Sequence, residues 1–388
     1  MAYMAHMAYG LTYFVADQVN SNSMCRDTTT YACRCQPGQL CWPTDDDWTT
    51  LNSTGEGNLL ALKTLAYPCH SPDFNAAKCA HIQSNTHNAS YRSLQPGAMQ
   101  YENWGSEPTR AEQCYVETPR SVPCGQGRIP LLSAAVKTTQ HIQAVVRFTA
   151  EHNVKLITRN TGHDFLGRSA APSSLQIFTG NMRSITLRDN FVPAVPPGIT
   201  TPPMGVRAVT IDAGVQLGDL YEYLRAKGAM VVGGFSMTVG MASGNIQGGG
   251  HSVMGWLYGM TSDNALDKQL PNSDLFFALR GGGGGTFRVV VRVSLNSYPD
   301  CPAIAVRTKY TLPASINRFW DGIETVHNHL LDLNDSGGTG YYLITPESPT
   351  SALLNSRPSP SLNFCTRFTR DHGIPFLPLA GRSKRRRV

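Results

Sequence analysis

One histidine stands where a tight turn is expected. His163 lies in the segment RNTGHDFLG, residues 159–167, which follows the hydrophobic run VKLIT. Gly162 before it frees the backbone, and Asp164 after it can hydrogen-bond the backbone of a turn. The segment alone leaves two interpretations open, a reactive imidazole or a structural histidine on a turn.

A second segment, residues 231–266, is rich in glycine and reads VVGGFSMTVGMASGNIQGGGHSVMGWLYGMTSDNAL. Its spacing matches neither a Walker A loop, which needs G-K-[ST], nor a Rossmann G-x-G-x-x-G that opens a helix. Glycines let successive backbone N–H groups line up on an anion such as a pyrophosphate, which favours a dinucleotide bound outside a Rossmann fold. The alternative is a glycine-rich β-turn region. The nine glycines are Gly233, Gly234, Gly240, Gly244, Gly248, Gly249, Gly250, Gly255 and Gly259.

The elements that must position these segments alternate between helix and strand. Residues 133–152 carry apolar side chains three and four apart, which predicts an amphipathic helix with Ser133 as a possible cap. VKLIT and AVTIDAG predict strands, LGDLYEYLRAKG predicts a helix closed by Gly228, and AMVVGG predicts another strand. This alternation predicts an α+β or α/β architecture.

Other local signals outline the rest of the chain. Thr44 or Asp45 can cap a short helix near the N-terminus. The proline-rich stretch at residues 193–205 predicts a surface loop. At residues 279–295, LRGGGGGTFRVVVRVSL runs five glycines into an alternating strand pattern rather than a helix, which again disfavours a Rossmann fold.

Composition favours a folded protein from an oxidising compartment. Of the 388 residues, 41% are hydrophobic and 15% are charged, which is unlike a disordered chain. Eight of the ten cysteines lie before residue 125 and no C-x-x-C pair occurs, so disulfides are favoured over metal sites. Reduced cysteines in a cytosolic protein are the alternative. Glycosylation sequons at Asn52, Asn88 and Asn334 are compatible with secretion.

The two ends of the chain carry weaker signals. The start, MAYMAHMAYGLTYFVADQ, has a short apolar stretch but lacks the basic residues and the small-residue cleavage site of a secretory signal. It is interpreted as a leader or poor signal, with a wrongly chosen start codon as the alternative. No apolar run reaches the roughly 18 residues of a membrane helix, so no membrane span is expected. GRSKRRRV at the end holds much of the net charge of +6. A solvated tail is favoured over nucleic-acid binding, because no aromatic-basic interleaving or zinc-finger spacing accompanies it.

Taken in their order, the motifs resemble the fungal FAD-linked oxidases of the vanillyl-alcohol-oxidase superfamily, with its berberine-bridge-enzyme-like branch. CQPGQLCWPTDDDWTTLN and PCH also resemble the N-terminal region of secreted, isoamyl-alcohol-oxidase-like members. The resemblance covers about residues 33–300. It implies an α+β fold, a PCMH-type FAD-binding domain of two α+β lobes followed by a truncated substrate domain. The main segments are RNTGHDFLGRS, SLQIFT, AVTIDAGVQLGDLY, VVGG…TVGMASGNIQGGGHS…YGMTSDN and NSDLFFALRGGGGGTFRVVV.

For the cofactor, the resemblance implies a covalent bond between His163 and the 8α-methyl of FAD. A nucleophilic imidazole suits that role when its neighbours fix its tautomer. Some relatives carry a second link through a cysteine two residues before TVG, but Ser236 stands there, so a single link is implied. The residues implied to contact FAD are His163, Arg159, Asn160, Thr161, Gly162, Asp164, Gly233, Gly234, Thr238, Val239, Gly240, Gly244, Gln247, Gly248, Gly249, Gly250, His251, Asp263 and Asn264.

For function, the resemblance implies an oxidase that moves hydride from an alcohol or secondary-metabolite substrate to FAD, with molecular oxygen as acceptor. The catalytic base is not identified. Tyr341 and Tyr342 are candidates because a phenol can serve as a base, and packing tyrosines are the alternative. The second hypothesis is a non-catalytic or decayed FAD-binding remnant.

That second hypothesis comes from two departures from the family pattern. Only DKQLP, residues 267–271, stands where relatives have a longer β-hairpin, and relatives continue past the position where this sequence ends. The expected domains are a leader at 1–24, a Cys-rich region at 25–125, the PCMH-type domain at 126–300, a partial substrate domain at 301–375 and a basic tail at 376–388.

Overall fold

The computed structural model describes residues 33–107, 112–193, 204–266, 273–280, 282–285, 287–300, 303–311, 317–335, 338–345 and 361–369. The chain divides into two compact units, Met1–Tyr298 and Pro299–Val388. The expectations for the leader, for most of the proline-rich loop, for the shortened hairpin and for the basic tail fall outside the described residues.

The first unit contains most of the regular structure. Its helices are α1 Asp45–Thr54, α2 Ala76–Asn85, α3 Ala89–Leu94, α4 Thr139–Glu151, α5 Leu217–Arg225, α6 Gly255–Tyr258 and α7 Ser273–Leu279. Its strands are β1 Leu59–Ala61, β2 Leu132–Ala135, β3 Lys155–Arg159, β4 Ser174–Phe178, β5 Ile185–Phe191, β6 Val206–Asp212, β7 Ala229–Met230 and β8 Arg292–Asn296. Strand β9, Tyr298–Pro299, lies at the boundary of the units. Short 3₁₀ turns cover Tyr67–Cys69, Glu102–Gly105 and Thr261–Asn264, and a π-helical turn covers Met241–Asn245.

A four-stranded sheet forms the first lobe, in the order β1-β2-β4-β3. Strands β2, β4 and β3 run parallel, and β1 adds to the edge in the antiparallel direction. Parallel neighbours need a crossover, and α4 joins β2 to β3. The lobe buries Ile142 and Val145 of α4 together with Leu175 and Ile177 of β4. The hydrophobic run before His163 is therefore anchored as β3, and its carboxyl end delivers the turn.

The second lobe is an antiparallel sheet in the order β5-β6-β8. Val209 and Ile211 of β6 point into a core that also takes Leu217, Leu220 and Leu224 from α5. All five side chains are at most 1% exposed, so this packing is the main apolar contact of the lobe. A parallel-stranded lobe and an antiparallel lobe in one unit confirm the α+β prediction.

Several local predictions are confirmed. Thr44 caps α1, since its hydroxyl accepts a hydrogen bond from the Asp47 N–H while the Asp47 carboxylate accepts one from the Thr44 N–H. Gly228 has the left-handed backbone expected after α5, with a φ of +59°, although it lies two residues past the Ala226 C-cap and not at the adjacent C′ position predicted for it. In both cases, a single residue type meets a single requirement of the local backbone.

The prediction of a helix from residue 133 is wrong at its start. Residues Leu132–Ala135 form β2, and α4 begins only at Thr139, with the Thr138 hydroxyl accepting from the His141 N–H. Ser133 is completely buried, and its hydroxyl donates to Gln176 Oε1 at 2.8 Å across the β2–β4 pair. A buried strand followed directly by a helix gave one continuous apolar pattern, which hid the boundary.

Two further predicted strands are longer than the strands in the structure. AMVVGG contributes only the two-residue strand β7, and the pattern after the five glycines becomes β8 only at Arg292. Val289 and Val291 are buried in the core of the first lobe, although they lie before that strand. Val290 between them is buried as well, so this apolar run reflects burial of a segment that lies outside any strand.

The disulfide prediction is confirmed for every cysteine of the Cys-rich region that lies in the described residues. Cys33, Cys35, Cys41, Cys69, Cys79, Cys114 and Cys124 are all disulfide-bonded. Three pairs are Cys35–Cys41, Cys69–Cys79 and Cys114–Cys124. Cys25, Cys301 and the Cys365 side chain fall outside the described part. Within that part, none of the helices combines the length and the apolar character that a membrane crossing requires.

The second unit contains β10 Ala303–Thr311, α8 Asn317–Asn328, α9 Leu330–Asp335, β11 Gly338–Thr345 and β12 Ser361–Thr369. Its strands form one antiparallel sheet in the order β10-β12-β11. Phe319 and Ile323 are buried on one side of α8. Tyr341 and Tyr342 belong to β11, but their side chains are outside the described part, so their suggested role as a base stays a prediction.

Replacing the cap of α4 tests where this helix begins. Thr138→Ala removes the acceptor for the His141 N–H and should lower the free energy of unfolding by about 1 kcal/mol, whereas Thr138→Ser should retain most of it. Urea unfolding of both variants measures the difference. An unchanged midpoint for Thr138→Ala would contradict the assigned start.

Candidate functional site

The predicted turn carries His163 at the end of β3. Gly162 has a φ of +80°, so the left-handed backbone expected here is present. The His163 side chain is half-buried, and its Nε2 lies 2.7 Å from the Thr238 hydroxyl. Thr238 belongs to the second glycine segment, so the two segments meet at the imidazole.

Gln100 fixes the outside of this turn. Its backbone N–H donates to the Gly162 carbonyl at 3.3 Å, and its Nε2 donates to the carbonyls of Thr161, at 3.2 Å, and Ala89, at 2.9 Å. One side chain therefore joins the turn to the first residue of α3. Sequence reasoning missed Gln100, because nothing local marks a residue 61 positions from its partner.

Arg159, the last residue of β3, places a cation beneath the turn. It is completely buried, and its Nη2 donates to the Arg92 carbonyl at 3.0 Å. Its Nε and Nη1 have no hydrogen-bond partner among the described residues. Burial, with a smaller contribution from the Arg92 charge, lowers the pKa of Arg159 to about 9. A Cβ on Gly162 would lie 3.2 Å from this guanidinium, so glycine suits the close approach.

The electrostatics favour a neutral His163. Burial, and secondarily the positive charge of Arg159, lowers the pKa of the imidazole below its ordinary value. A lowered pKa extends the neutral form to more acidic pH. The neutral imidazole carries the lone pair that a nucleophile needs, so the surroundings support such a role at neutral pH.

Asp164 shapes the turn on its other side. Its carboxylate accepts hydrogen bonds from the Arg168 backbone N–H and from Arg168 Nη2, the latter at 2.9 Å. The Arg168 guanidinium in turn lies against Gly283 in the third segment, residues 279–295, where a Cβ would come within 2.2 Å of Nη1. The run of glycines therefore gives Arg168 room, which the sequence did not reveal.

The second segment contacts the turn through glycine. A Cβ on Gly240 would lie 2.4 Å from Asn160 Oδ1, and the Asn160 amide donates to the Ala213 carbonyl at the end of β6. Val239 accepts a hydrogen bond from the Leu217 N–H at 2.9 Å, which attaches the segment to the start of α5. Asn160 thus links both lobes within the first unit.

Beyond Gly240, the segment holds buried polar atoms that lack partners. Asn245 Oδ1 and Gln247 Oε1 are buried without a hydrogen bond among the described residues. Space is open around the Cβ position of Gly244. The third segment packs on this region, because the Gly283 N–H donates to the Gln247 carbonyl at 3.1 Å. A Cβ on Gly284 would lie 3.0 Å from the Gly244 Cα, so this contact also requires glycine.

The remaining predicted residues have supporting positions. The Asn264 amide donates to the Tyr258 and Met260 carbonyls, both at 2.9 Å, and its Oδ1 accepts from the Tyr298 hydroxyl at 2.5 Å. Asp263 and His251 are exposed. With its amide committed inside the protein, the Asn264 side chain stabilises the 3₁₀ turn. The predicted contacts of Asn264, Asp263 and His251 with a cofactor stay predictions.

Other glycines of the segment lie close to neighbouring side chains or to backbone. The Tyr221 hydroxyl donates to the Gly234 carbonyl at 2.6 Å, and a Cβ on Gly233 would lie 2.6 Å from the same hydroxyl oxygen. A Cβ on Gly250 would lie 2.4 Å from the Thr261 Cβ, while one on Gly248 would lie 3.1 Å from the Gly244 carbonyl. Gly249 accepts a hydrogen bond from the Ser262 N–H at 3.0 Å.

Large apolar side chains of the same segments are exposed. Phe165 and Leu166 follow the histidine turn and are 76% and 66% exposed, and Phe235 in the second segment is 76% exposed. Ser236, where a second link would require cysteine, is also exposed. Apolar exposure on the segments that carry the polar site is suited to contact with a large ligand or with further protein.

Comparison with known proteins identifies the cofactor class. Residues 130–270 match the family described as FAD binding domain. An FAD-linked oxidoreductase of Arthroderma benhamiae is 46% identical over 83% of this chain and 57% of its own length. A VAO-type flavoprotein of Myceliophthora thermophila C1 is 29% identical with a TM-score of 0.73, over 87% of this chain and 60% of that one. A berberine bridge enzyme variant shares the fold, with 15% identity and a TM-score of 0.54 over 84% of this chain and 56% of that one. The chain therefore spans 56% to 60% of the length of these proteins.

The described residues fit an FAD molecule in chemical terms. A dinucleotide needs close backbone approach for its diphosphate and polar atoms for its ring edges. The open space at Gly244 and the unpartnered oxygens of Asn245 and Gln247 supply both kinds of feature. The unpartnered nitrogens of Arg159 add a positive charge beside the turn.

Two alanine substitutions distinguish a glycine packed against a side chain from a glycine with open space at its Cβ position. Gly240 has a φ of −76°, which suits any residue, so the cost of Gly240→Ala comes from the clash with Asn160 and should be about 1–3 kcal/mol of unfolding free energy. Gly244→Ala meets no atom within 4 Å and should change stability by less than about 0.5 kcal/mol. Denaturant unfolding of both proteins provides the test. Equal losses in the two variants would contradict the assigned contact.

Proposed function

We propose that this chain, which is similar to FAD-linked oxidoreductases and to a VAO-type flavoprotein, is a member of the vanillyl-alcohol-oxidase superfamily, holds FAD covalently through His163 and oxidises a small molecule. The substrate is an alcohol or a secondary-metabolite intermediate, and molecular oxygen is the final electron acceptor. The observation that carries the proposal is the half-buried His163 turn, held between Gln100, Arg159 and Thr238.

In this proposal, Thr238 selects the tautomer of His163. Of the two directions that this contact allows, the proposal takes the one in which the imidazole Nε2–H donates to the Thr238 hydroxyl, which leaves the lone pair on Nδ1. His163 Nδ1 has no hydrogen-bond partner among the described residues. Nδ1 is therefore the nitrogen that forms the bond to the cofactor, while Thr238 and Gln100 keep the ring and the turn in place.

The other residues bind and orient. FAD supplies the hydride-accepting chemistry when bound. Arg159 contributes a fixed positive charge beneath the turn, and the glycines at 244 and 284 keep side chains away from the cofactor surface. Ser236 offers no thiolate, so His163 is the one covalent anchor. The exposed Phe165, two residues after the histidine, and the exposed Phe235, three residues before Thr238, present apolar surface on the two segments, which suits a substrate with apolar character.

Replacing His163 tests the anchor itself. His163→Ala should bind FAD reversibly and release all of it on acid precipitation, whereas the wild-type protein should keep its flavin in the pellet. Peptide mass spectrometry should locate one FAD on the peptide that contains His163. A folded, flavin-saturated wild type that releases all its flavin would contradict covalent attachment. A folded protein that never binds flavin would instead favour the non-catalytic remnant.

A conservative pair of substitutions tests the role of Thr238. Thr238→Val keeps the volume of this buried side chain but removes the hydrogen bond to His163, so covalent attachment should slow by about tenfold, corresponding to about 1.4 kcal/mol. Thr238→Ser retains the hydroxyl and should attach flavin at the wild-type rate. Flavin fluorescence of denatured protein over time measures the rate, and the thermal midpoint checks the fold. Equal rates for Val and Ser would assign Thr238 to packing alone.

A further inference from the structure

The three glycosylation sequons differ in their structural surroundings. An N-linked glycan is attached to the side-chain nitrogen of asparagine in Asn-X-Ser/Thr, and it must be accommodated at the protein surface. Asn52, Asn88 and Asn334 each begin such a sequence. Asn334 is exposed in α9, but its serine at 336 lies outside the described residues. Only the sequons at Asn52 and Asn88 lie entirely within the described residues.

Asn88 presents its amide nitrogen to solvent. Asn88 and its neighbours His87 and Ser90 are exposed. The Asn88 Oδ1 accepts hydrogen bonds from the backbone N–H groups of Ser90, at 3.0 Å, and Tyr91, at 3.1 Å. Nδ2 donates to none of the described residues. The oxygen of the amide thus serves the protein, and the nitrogen is free for another bond.

A glycan is compatible with these contacts. Substitution on Nδ2 leaves the amide oxygen as an acceptor, so both hydrogen bonds to the start of α3 can persist. The carbonyl of the middle sequon residue, Ala89, faces inward and accepts from Gln100 at 2.9 Å. The protein-facing and solvent-facing sides of the sequon are therefore already separated in the fold.

Asn52 lies in a tighter place. It belongs to the last part of α1 and is half-buried. Its Oδ1 accepts from the Leu59 N–H at 3.0 Å, and its carbonyl accepts from the Gly57 N–H at 2.8 Å, so it joins α1 to β1. A branched sugar on this side chain would crowd that junction. The same sequence motif is therefore accommodated less readily at Asn52 than at Asn88.

The disulfides on both sides of Asn88 are typical of an oxidising compartment. Asn88 lies between the disulfides Cys69–Cys79 and Cys114–Cys124. Disulfides form in oxidising compartments such as the lumen of the endoplasmic reticulum, where lipid-linked sugar donors are used in eukaryotes. Oxidised cysteines on both sides of an exposed sequon are consistent with passage of this segment through that compartment.

From these contacts we propose that Asn88 is an N-glycosylation site. The bond that forms joins Nδ2 to the anomeric carbon of the first sugar of a lipid-diphosphate-linked oligosaccharide. The bond between that carbon and the diphosphate oxygen breaks, and Nδ2 loses one proton, so no oxidation or reduction takes place. The glycan covers the surface at the start of α3 and leaves the contacts of Gln100 with the histidine turn in place.

The test uses the full chain expressed in a yeast that secretes glycoproteins. Peptides from a protease digest are treated with peptide N-glycosidase in heavy-oxygen water. The enzyme removes each N-glycan and converts the asparagine that carried it into aspartate labelled with heavy oxygen. The Asn88 peptide should carry the label in wild-type protein. Asn88→Asp and Ser90→Ala should each remove one glycan from the intact mass, while Asn52→Gln should leave the glycan at Asn88.

Two of these variants also distinguish the loss of the glycan from a failure of the protein to fold. Asn88→Asp retains an oxygen acceptor for the N–H groups of Ser90 and Tyr91, and Ser90→Ala leaves Asn88 itself intact. Both should therefore fold with the same disulfides as the wild type after enzymatic removal of its glycan. A disulfide-bonded wild type whose Asn88 peptide is unlabelled would overturn the proposal. A chain that stays reduced in the cytosol, or one labelled only at Asn52 or Asn334, would overturn it equally.

Discussion

Close approach of backbone to side chain at Gly240 is the constraint on which the site depends. Asn160 belongs to the histidine turn and Gly240 to a segment eighty positions later, yet a Cβ at Gly240 would overlap the Asn160 side chain. The hydrogen bond from Asn160 to the Ala213 carbonyl then connects the same side chain to the end of β6. Together with the hydrogen bond from the Leu217 N–H to the Val239 carbonyl, this contact positions Thr238 beside His163. Glycine at 283 and 284 extends the same principle to the third segment.

Burial of charge gives the turn its electrostatic character. The Arg159 guanidinium is completely buried, and two of its nitrogens have no partner in the described part of the chain. Such a group costs folding free energy unless something compensates for it. The same charge adds to the effect of burial in lowering the pKa of the adjacent His163 imidazole, and so disfavours its protonation. The desolvation of this guanidinium therefore offsets part of the stability that apolar packing gives to the region.

Features set by a few adjacent residues could be predicted from the sequence. The Thr44 cap, Gly228 after α5 and the turn at His163 are examples, because each depends on the local backbone requirement of one residue type. The boundary at Ser133 could not be found, since a buried strand and the helix that follows share one apolar pattern. Gln100 and Arg168 could not be found either. Their partners are distant in sequence, and a glutamine or an arginine has no spacing signature for binding a turn or a glycine backbone.

The three described disulfide pairs have a consequence for how the chain is made. Their cysteines are separated by only 6, 10 and 10 residues, so each pair closes a short loop within its own stretch of chain. Short loops cost little closure entropy, and each partner is the next cysteine to emerge after the first. These pairs can form during synthesis, before α4 or either sheet has been translated in full. Oxidation of the Cys-rich region is then independent of the assembly of the first and second lobes. This order limits the number of wrong disulfide pairings that the nascent chain can form.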